Sequence, residues 1–127
     1  ANMGTTWIEH ATSYNALPDP VCMGSLIKAK VKVNGLMKDV LFFSNPNTTS
    51  GRYNITNKAS LDLGQTWLPS NQLLIDERQC YGYSCLTKID DNTIRIVHSK
   101  VFEEHIKKHA IFYMTCLSYT SKIYLKY

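Results

Sequence analysis

Several features are missing from this 127-residue chain, and each absence removes a class of function. No uncharged apolar run is long enough to cross a bilayer as a helix, so no membrane span is expected. The first residues have neither the basic start nor the apolar core of a secretion signal, so the sequence is expected to carry no address of its own. The four cysteines Cys22, Cys80, Cys85 and Cys116 lack the C-x-x-C spacing of zinc and redox sites. Buried thiols are expected instead. A bridge between Cys80 and Cys85 stays open, because a short loop brings two cysteines near without aligning their Cβ atoms. His105 and His109 share a helical face at i,i+4, yet no third ligand or H-E-x-x-H pattern accompanies them, so neither a metal nor another cofactor is expected. Low-complexity segments are absent too.

What is present describes an ordinary globular domain. The chain is 44% hydrophobic and 19% charged, enough apolar material for one real core. Its net charge of +4 is uneven: residues 1–92 balance, and the whole excess falls in 93–127. A basic end without a clustered stripe of basic and aromatic residues reads as a solvated face, so no nucleic-acid partner is expected. Asn47 and Asn54 begin N-T-T and N-I-T sequons, which matter only in a eukaryotic secretory host.

Along the chain, a polar stretch ends in Leu17-Pro18-Asp19-Pro20, a loop signal. Residues 24–33 and 36–44 are rich in β-branched and large apolar side chains, and the Asn34-Gly35 pair between them favours a type I′ hairpin. A polar loop is expected over 45–51, a strand over 52–60, a tight turn, and a short extended piece from Trp67 onward. Four strands in sequence order make one blade of an up-and-down meander. Further strands are expected over 84–89 and 93–97, joined through Asp90-Asp91-Asn92. From 99 to 114 the pattern changes, with Phe102, Ile106, Ala110 and Met114 every fourth residue and favourable Glu103/Lys107 and Glu104/Lys108 pairs. That predicts an amphipathic helix, followed by a last strand or a draped segment over 118–127.

The turn between the third and fourth strands is the most ordered signal. Ser60, Asp62, Gly64, Thr66 and Trp67 spell S-x-D-x-G-x-T-W. Asp62 can fold its carboxylate onto nearby N–H groups, Gly64 supplies a positive φ, Thr66 closes the turn through its hydroxyl, and Trp67 drops onto apolar surface. Asn2, Gly4, Thr6 and Trp7 repeat the spacing with Asn in the Asp position, sixty residues earlier. This turn resembles the Asp-box of sialidase (neuraminidase) propellers, and a sixty-residue repeat suits a blade with a generous loop.

Three further blocks extend the resemblance over residues 1–97. Val21-Cys22-Met23-Gly24-Ser25-Leu26-Ile27 is similar to the family's C-x-G-S strand start, whose second residue, here Met23, often lines the sugar pocket. Leu41-Phe42-Phe43-Ser44-Asn45-Pro46 followed by Arg52, Asn54 and Thr56 is similar to the F-S-N-P segment and its arginine. The resemblance makes Arg52 one of three arginines gripping the sialic acid carboxylate. A guanidinium suits that task, since it is permanently charged and forks onto a carboxylate, as Lys cannot. Cys80-Tyr81-Gly82-Tyr83-Ser84-Cys85-Leu86 is similar to the G-Y-S segment with the catalytic tyrosine, which implies Tyr83 as nucleophile. Sialidases are the exception to the carboxylate nucleophile of glycosidases. A neutral phenol is not repelled by the substrate's own carboxylate, though with an ordinary pKa near 10 it needs a paired base.

The resemblance implies an all-β, antiparallel fold, part of a β-propeller with Asp-box hairpins that is six-bladed in the full family, ending here in a short helical tail. It divides the chain into propeller blades over 1–97 and a divergent basic tail over 98–127. It implies hydrolysis of terminal sialic acids, with sialylated glycoconjugates as partners and a secreted, periplasmic or lysosomal location. The other two arginines, the aspartic general acid/base and the glutamate paired with the tyrosine are not present; Glu77, Glu103 and Glu104 read as solvated surface. Where the family tends to have L-Y-E, this chain reads Ile96-Val97-His98. A very poor catalyst is therefore expected from the chain alone. The alternative is a non-catalytic β module that binds sialic acid or self-associates through exposed blade edges.

Overall fold

The computed structural model describes residues 2–13, 15–99 and 117–122, and among these the regular structure is all-β apart from one 3₁₀ turn. Alternation sets the first strand. In β1 (Ser25–Val33), Ala29, Val31 and Val33 point inward while Lys28, Lys30 and Lys32 face water. Asn34 and Gly35 then take φ of +49° and +83°, the double left-handed turn that matches strand twist, and return the chain as β2 (Leu36–Pro46). After β3 (Ile55–Ser60) and the 60–67 turn comes β4 (Gln72–Asp76), giving a four-stranded antiparallel sheet in the order β1-β2-β3-β4. A second antiparallel sheet pairs β5 (Ser84–Asp90), β6 (Thr93–His98) and β7 (Leu117–Lys122) in order. This is the expected all-β arrangement: one complete propeller-like blade followed by strands of the next.

The two sheets share one core. Val31, Val40, Phe42 and Ile55 from the first sheet meet Leu86, Ile94 and Ile96 from the second, all nearly inaccessible to water. Polar ties register the sheets. Ser44 and Ser84 meet hydroxyl to hydroxyl at 2.8 Å, Leu86 N–H donates to Ser25 Oγ at 3.0 Å, and Lys32 N–H donates to Asp91 O at 2.7 Å.

Several boundaries differ from expectation for local reasons. β2 continues through Asn45 and Pro46, which the sequence places in a loop, because both are buried against the sheet. β3 starts at Ile55 and not at Arg52, since Asn54 takes a φ of +59°, outside strand geometry. The piece after Trp67 becomes a strand only at Gln72, after the 3₁₀ turn Pro69–Asn71 whose proline fixes φ at its start. Cys22, Cys80 and Cys85 are free thiols, Cys80 buried and Cys85 exposed, so no bridge joins the latter two. The helix expected over 99–114 lies outside the described residues beyond Ser99. β7 pairs in register along β6 and so joins residues 117–122 to the second sheet.

The 60–67 turn is closed by its side chains. Ser60 Oγ donates to Asp62 Oδ1 at 2.7 Å and accepts Gly64 N–H at 2.7 Å, while Asp62 accepts the Thr66 N–H at 2.9 Å and its hydroxyl at 2.6 Å. These bonds, the Thr66 hydroxyl first, hold the Asp62 carboxyl down at about 2. Leu63 and Gly64 both have positive φ, and Trp67 lands edge-on against Phe43 with centroids 6.3 Å apart. At the N-terminus, Met3 and Gly4 repeat the two positive φ values and the Asn2 side chain donates to Thr6 Oγ1, but Trp7 is 90% exposed.

Candidate functional site

The connection 77–83, which carries the chain from β4 in the first sheet to β5 in the second, organises the site. Arg52 pins it twice. Its backbone carbonyl accepts Cys80 N–H at 2.8 Å, and its Nη1 donates to Tyr81 O at 3.0 Å. Gly82 follows with a φ of +85° and packs so closely that a Cβ there would lie 2.9 Å from Cys22 Sγ and 3.1 Å from Arg52 Cδ. Only glycine combines that φ with that approach. Tyr83, the next residue, is about half exposed. Its carbonyl accepts Ser99 N–H at 2.9 Å, and its own N–H donates to Ser99 Oγ at 3.1 Å.

Three separate sequence blocks therefore meet at one edge: Cys22 beside Met23, Arg52, and Gly82 beside Tyr83. Met23 is 61% exposed, next along the chain from the thiol that touches Gly82. The bond to Tyr81 uses one of the five N–H donors of the Arg52 guanidinium, on an exposed side chain. Burial raises the Cys22 and Cys80 thiols above their ordinary value, and the Asp19 carboxylate adds to the rise at Cys22. Both stay protonated at neutral pH, which fits packing groups better than nucleophiles.

Behind Cys22 runs a polar network absent from the sequence reading. Asp19 accepts Cys22 N–H through Oδ1 at 2.8 Å and the Asn45 amide through Oδ2 at 2.9 Å. The Asn45 amide also donates to Pro18 O at 2.8 Å, and Asn45 Oδ1 accepts Lys58 Nζ at 3.3 Å. Lys58 is 1% exposed, and burial lowers its ammonium to about 8 against the opposing pull of Asp19. A second cluster joins the sheets: Asp76, at the end of β4, takes a two-pronged bond from Arg78 at 2.8 and 2.6 Å and faces His98 of β6 at 3.8 Å. Arg78 holds the Asp76 carboxyl at about 2. Glu77 is exposed, as expected, and the residues at 103–109 lie outside those described. Among the described residues no group of three His, Cys, Asp or Glu side chains could hold a metal ion, and no helix is long and apolar enough to cross a membrane.

No family model matches the chain. A curated sialidase from Bacteroides fragilis (strain YCH46) is 59% identical over 97 residues, a match covering 76% of this chain and 18% of that protein. This chain belongs to the sialidase family. The solved structure of Hadza microbial sialidase Hz136 agrees with the sialidase fold seen here at a TM-score of 0.69 and 52% identity, covering 76% of this chain and 19% of that one. The matched part of the chain thus spans under a fifth of either sialidase relative.

Proposed function

We propose that this chain forms part of a sialidase active site in which Tyr83 is the nucleophile and Arg52 binds the substrate carboxylate. The observation that carries this reading is the Arg52–Tyr81 bond, with Gly82 packed on the Arg52 side chain, which ties Arg52 to the connection whose next residue is Tyr83. The phenolic oxygen attacks the anomeric carbon of a terminal sialic acid and the glycan alcohol leaves. Water then breaks the tyrosyl bond and restores the phenol. The phenol must lose its proton as it attacks, so a carboxylate base from the remainder of the family's catalytic set completes the site. Met23 contributes apolar surface at the edge of the sugar pocket, and sialylated glycoconjugates are the substrates.

Titrating the purified chain with sialic acid, read by ligand-observed NMR, tests the carboxylate grip. Binding should weaken about tenfold or more in Arg52→Ala, because a charged hydrogen bond is lost, and persist in Tyr83→Phe. Binding indifferent to Arg52 overturns the reading. A fluorogenic sialoside tests turnover, with Tyr83→Phe as the inactive control.

A second reading, a self-associating module, is favoured by an apolar cleft of about 340 Å³ on the outer face of the first sheet, between Leu17, Leu26, Leu41, Phe43, Leu63 and Trp67. Light scattering that finds a monomer at high concentration removes it.

A further inference from the structure

The connection 77–83 has a neck as well as a tip. It leaves the first sheet at Asp76, the last residue of β4, and joins the second at Ser84, which lies opposite His98 in the β5–β6 ladder. At that neck His98 Nε2 stands 3.8 Å from Asp76 Oδ2, with the two side chains 0% and 5% exposed. Arg78, inside the connection, holds the same carboxylate oxygen with a 2.6 Å contact. The other imidazole nitrogen, Nδ1, lies 3.0 Å from Ser99 O, and Ser99 is the residue that grips Tyr83 at both N–H and carbonyl. A chain of contacts thus runs Arg78, Asp76, His98, Ser99, Tyr83, starting and ending within one seven-residue connection.

We propose that His98 is a positioning residue for Tyr83: paired with Asp76, it closes the neck of the 77–83 connection and holds Ser99 where Ser99 fixes the tyrosine backbone. The functional meaning rests on the reading of Tyr83 as nucleophile; the coupling itself does not. Arg52 restrains the middle of the connection, and closing the neck removes the remaining freedom at its base, which would otherwise swing Tyr83 away from Arg52. Both side chains are shut away from water, so the contact between imidazole and carboxylate is weakly screened. Among the described residues, Asp76 of β4 faces His98 directly, and Arg78 of the connection is bonded to that same carboxylate.

Amide hydrogen exchange on the full chain, read residue by residue, tests the coupling. In His98→Gly, protection at Tyr83 N–H should fall about tenfold or more while Phe42 and Ala59 keep theirs, as expected for a local opening. Added imidazole should restore it. Asp76→Asn, which preserves side-chain shape, should reproduce the loss at Tyr83 and serves if His98→Gly does not fold. Unchanged protection at Tyr83 in a folded variant overturns the proposal, as does a loss spread evenly over Phe42 and Ala59. Either result leaves Arg52-dependent binding of sialic acid to be judged by its own titration.

Discussion

The ammonium of Lys58 lies 5.7 Å from the centroid of the Phe43 ring, the same ring that packs edge-to-face with Trp67. Phe43 thereby separates the turn at 60–67 from the polar network that ends at Cys22, and Lys58 supplies the positive charge of that network. Burial opposes this charge, which has a measurable consequence.

The folded chain releases the Lys58 proton at about 8, well below an ordinary lysine near 10.5. Between those two values Lys58 holds its proton in the unfolded chain and not in the folded one, so its contribution to stability must rise with pH. The gain across this window should be about 2 kcal/mol after allowance for solvent screening. Urea midpoints measured from pH 7.5 to about 10.5 should move upward in the wild type relative to Lys58→Met, which shares the raised thiols of Cys22 and Cys80 and lacks the lysine. A wild-type curve as flat as the variant's would remove the buried charge from the account.

Ser60 is 1% exposed, and its hydroxyl is the acceptor for the N–H of the buried Gly64. Ser60→Ala leaves that donor without its partner and should cost about 1–3 kcal/mol in thermal or chemical unfolding. Ser60→Thr keeps the hydroxyl and should cost less.

Gly82→Ala places a methyl group against Cys22 Sγ and Arg52 Cδ at a φ that L-residues resist. The backbone conformation alone should cost about 1–2 kcal/mol. The displaced guanidinium should weaken sialic acid binding about tenfold, which the NMR titration used for Arg52→Ala would detect. Full affinity in Gly82→Ala would show that Arg52 does not need this packing.

Asp76 contributes at the acid end. Its folded-state carboxyl titrates at about 2, chiefly because Arg78 bonds it, below the ordinary carboxyl value. Its stabilisation is therefore fully present above about pH 4 and lost as pH falls toward 2. Asp76→Asn should be less stable than wild type at pH 5, and the two should converge by about pH 2. Unfolding by urea at a series of acid pH values reads this directly.

The blade was largely legible in the sequence because its signals are local. Alternating lysines and aliphatics wrote β1, Asn34-Gly35 wrote its hairpin, and S-x-D-x-G-x-T-W wrote the turn before β4. Boundaries moved where one residue's backbone overrode composition, as Asn54 did at the start of β3 and Pro69 before β4. Of the site, Arg52, Tyr83 and Met23 were nameable one by one, but nothing local shows that Arg52 reaches Tyr81 across twenty-nine residues. The Asp19, Asn45 and Lys58 network and the Asp76–His98 pair were invisible for the same reason. Each joins side chains unremarkable in their own segments, and only the pairing of sheets makes them neighbours.

The bond from Leu86 N–H to Ser25 Oγ spans sixty-one residues, and the Ser44–Ser84 contact spans forty. During synthesis the first hairpin can form early, but Phe42 and Val40 have no lid until β5 and β6 have emerged and docked. Arg52 and Tyr83 come together only in that late docking. Folding should therefore be slow for the chain's length, with loop closure and not hairpin formation as the limiting event. The candidate site would be among the last parts of the molecule to exist.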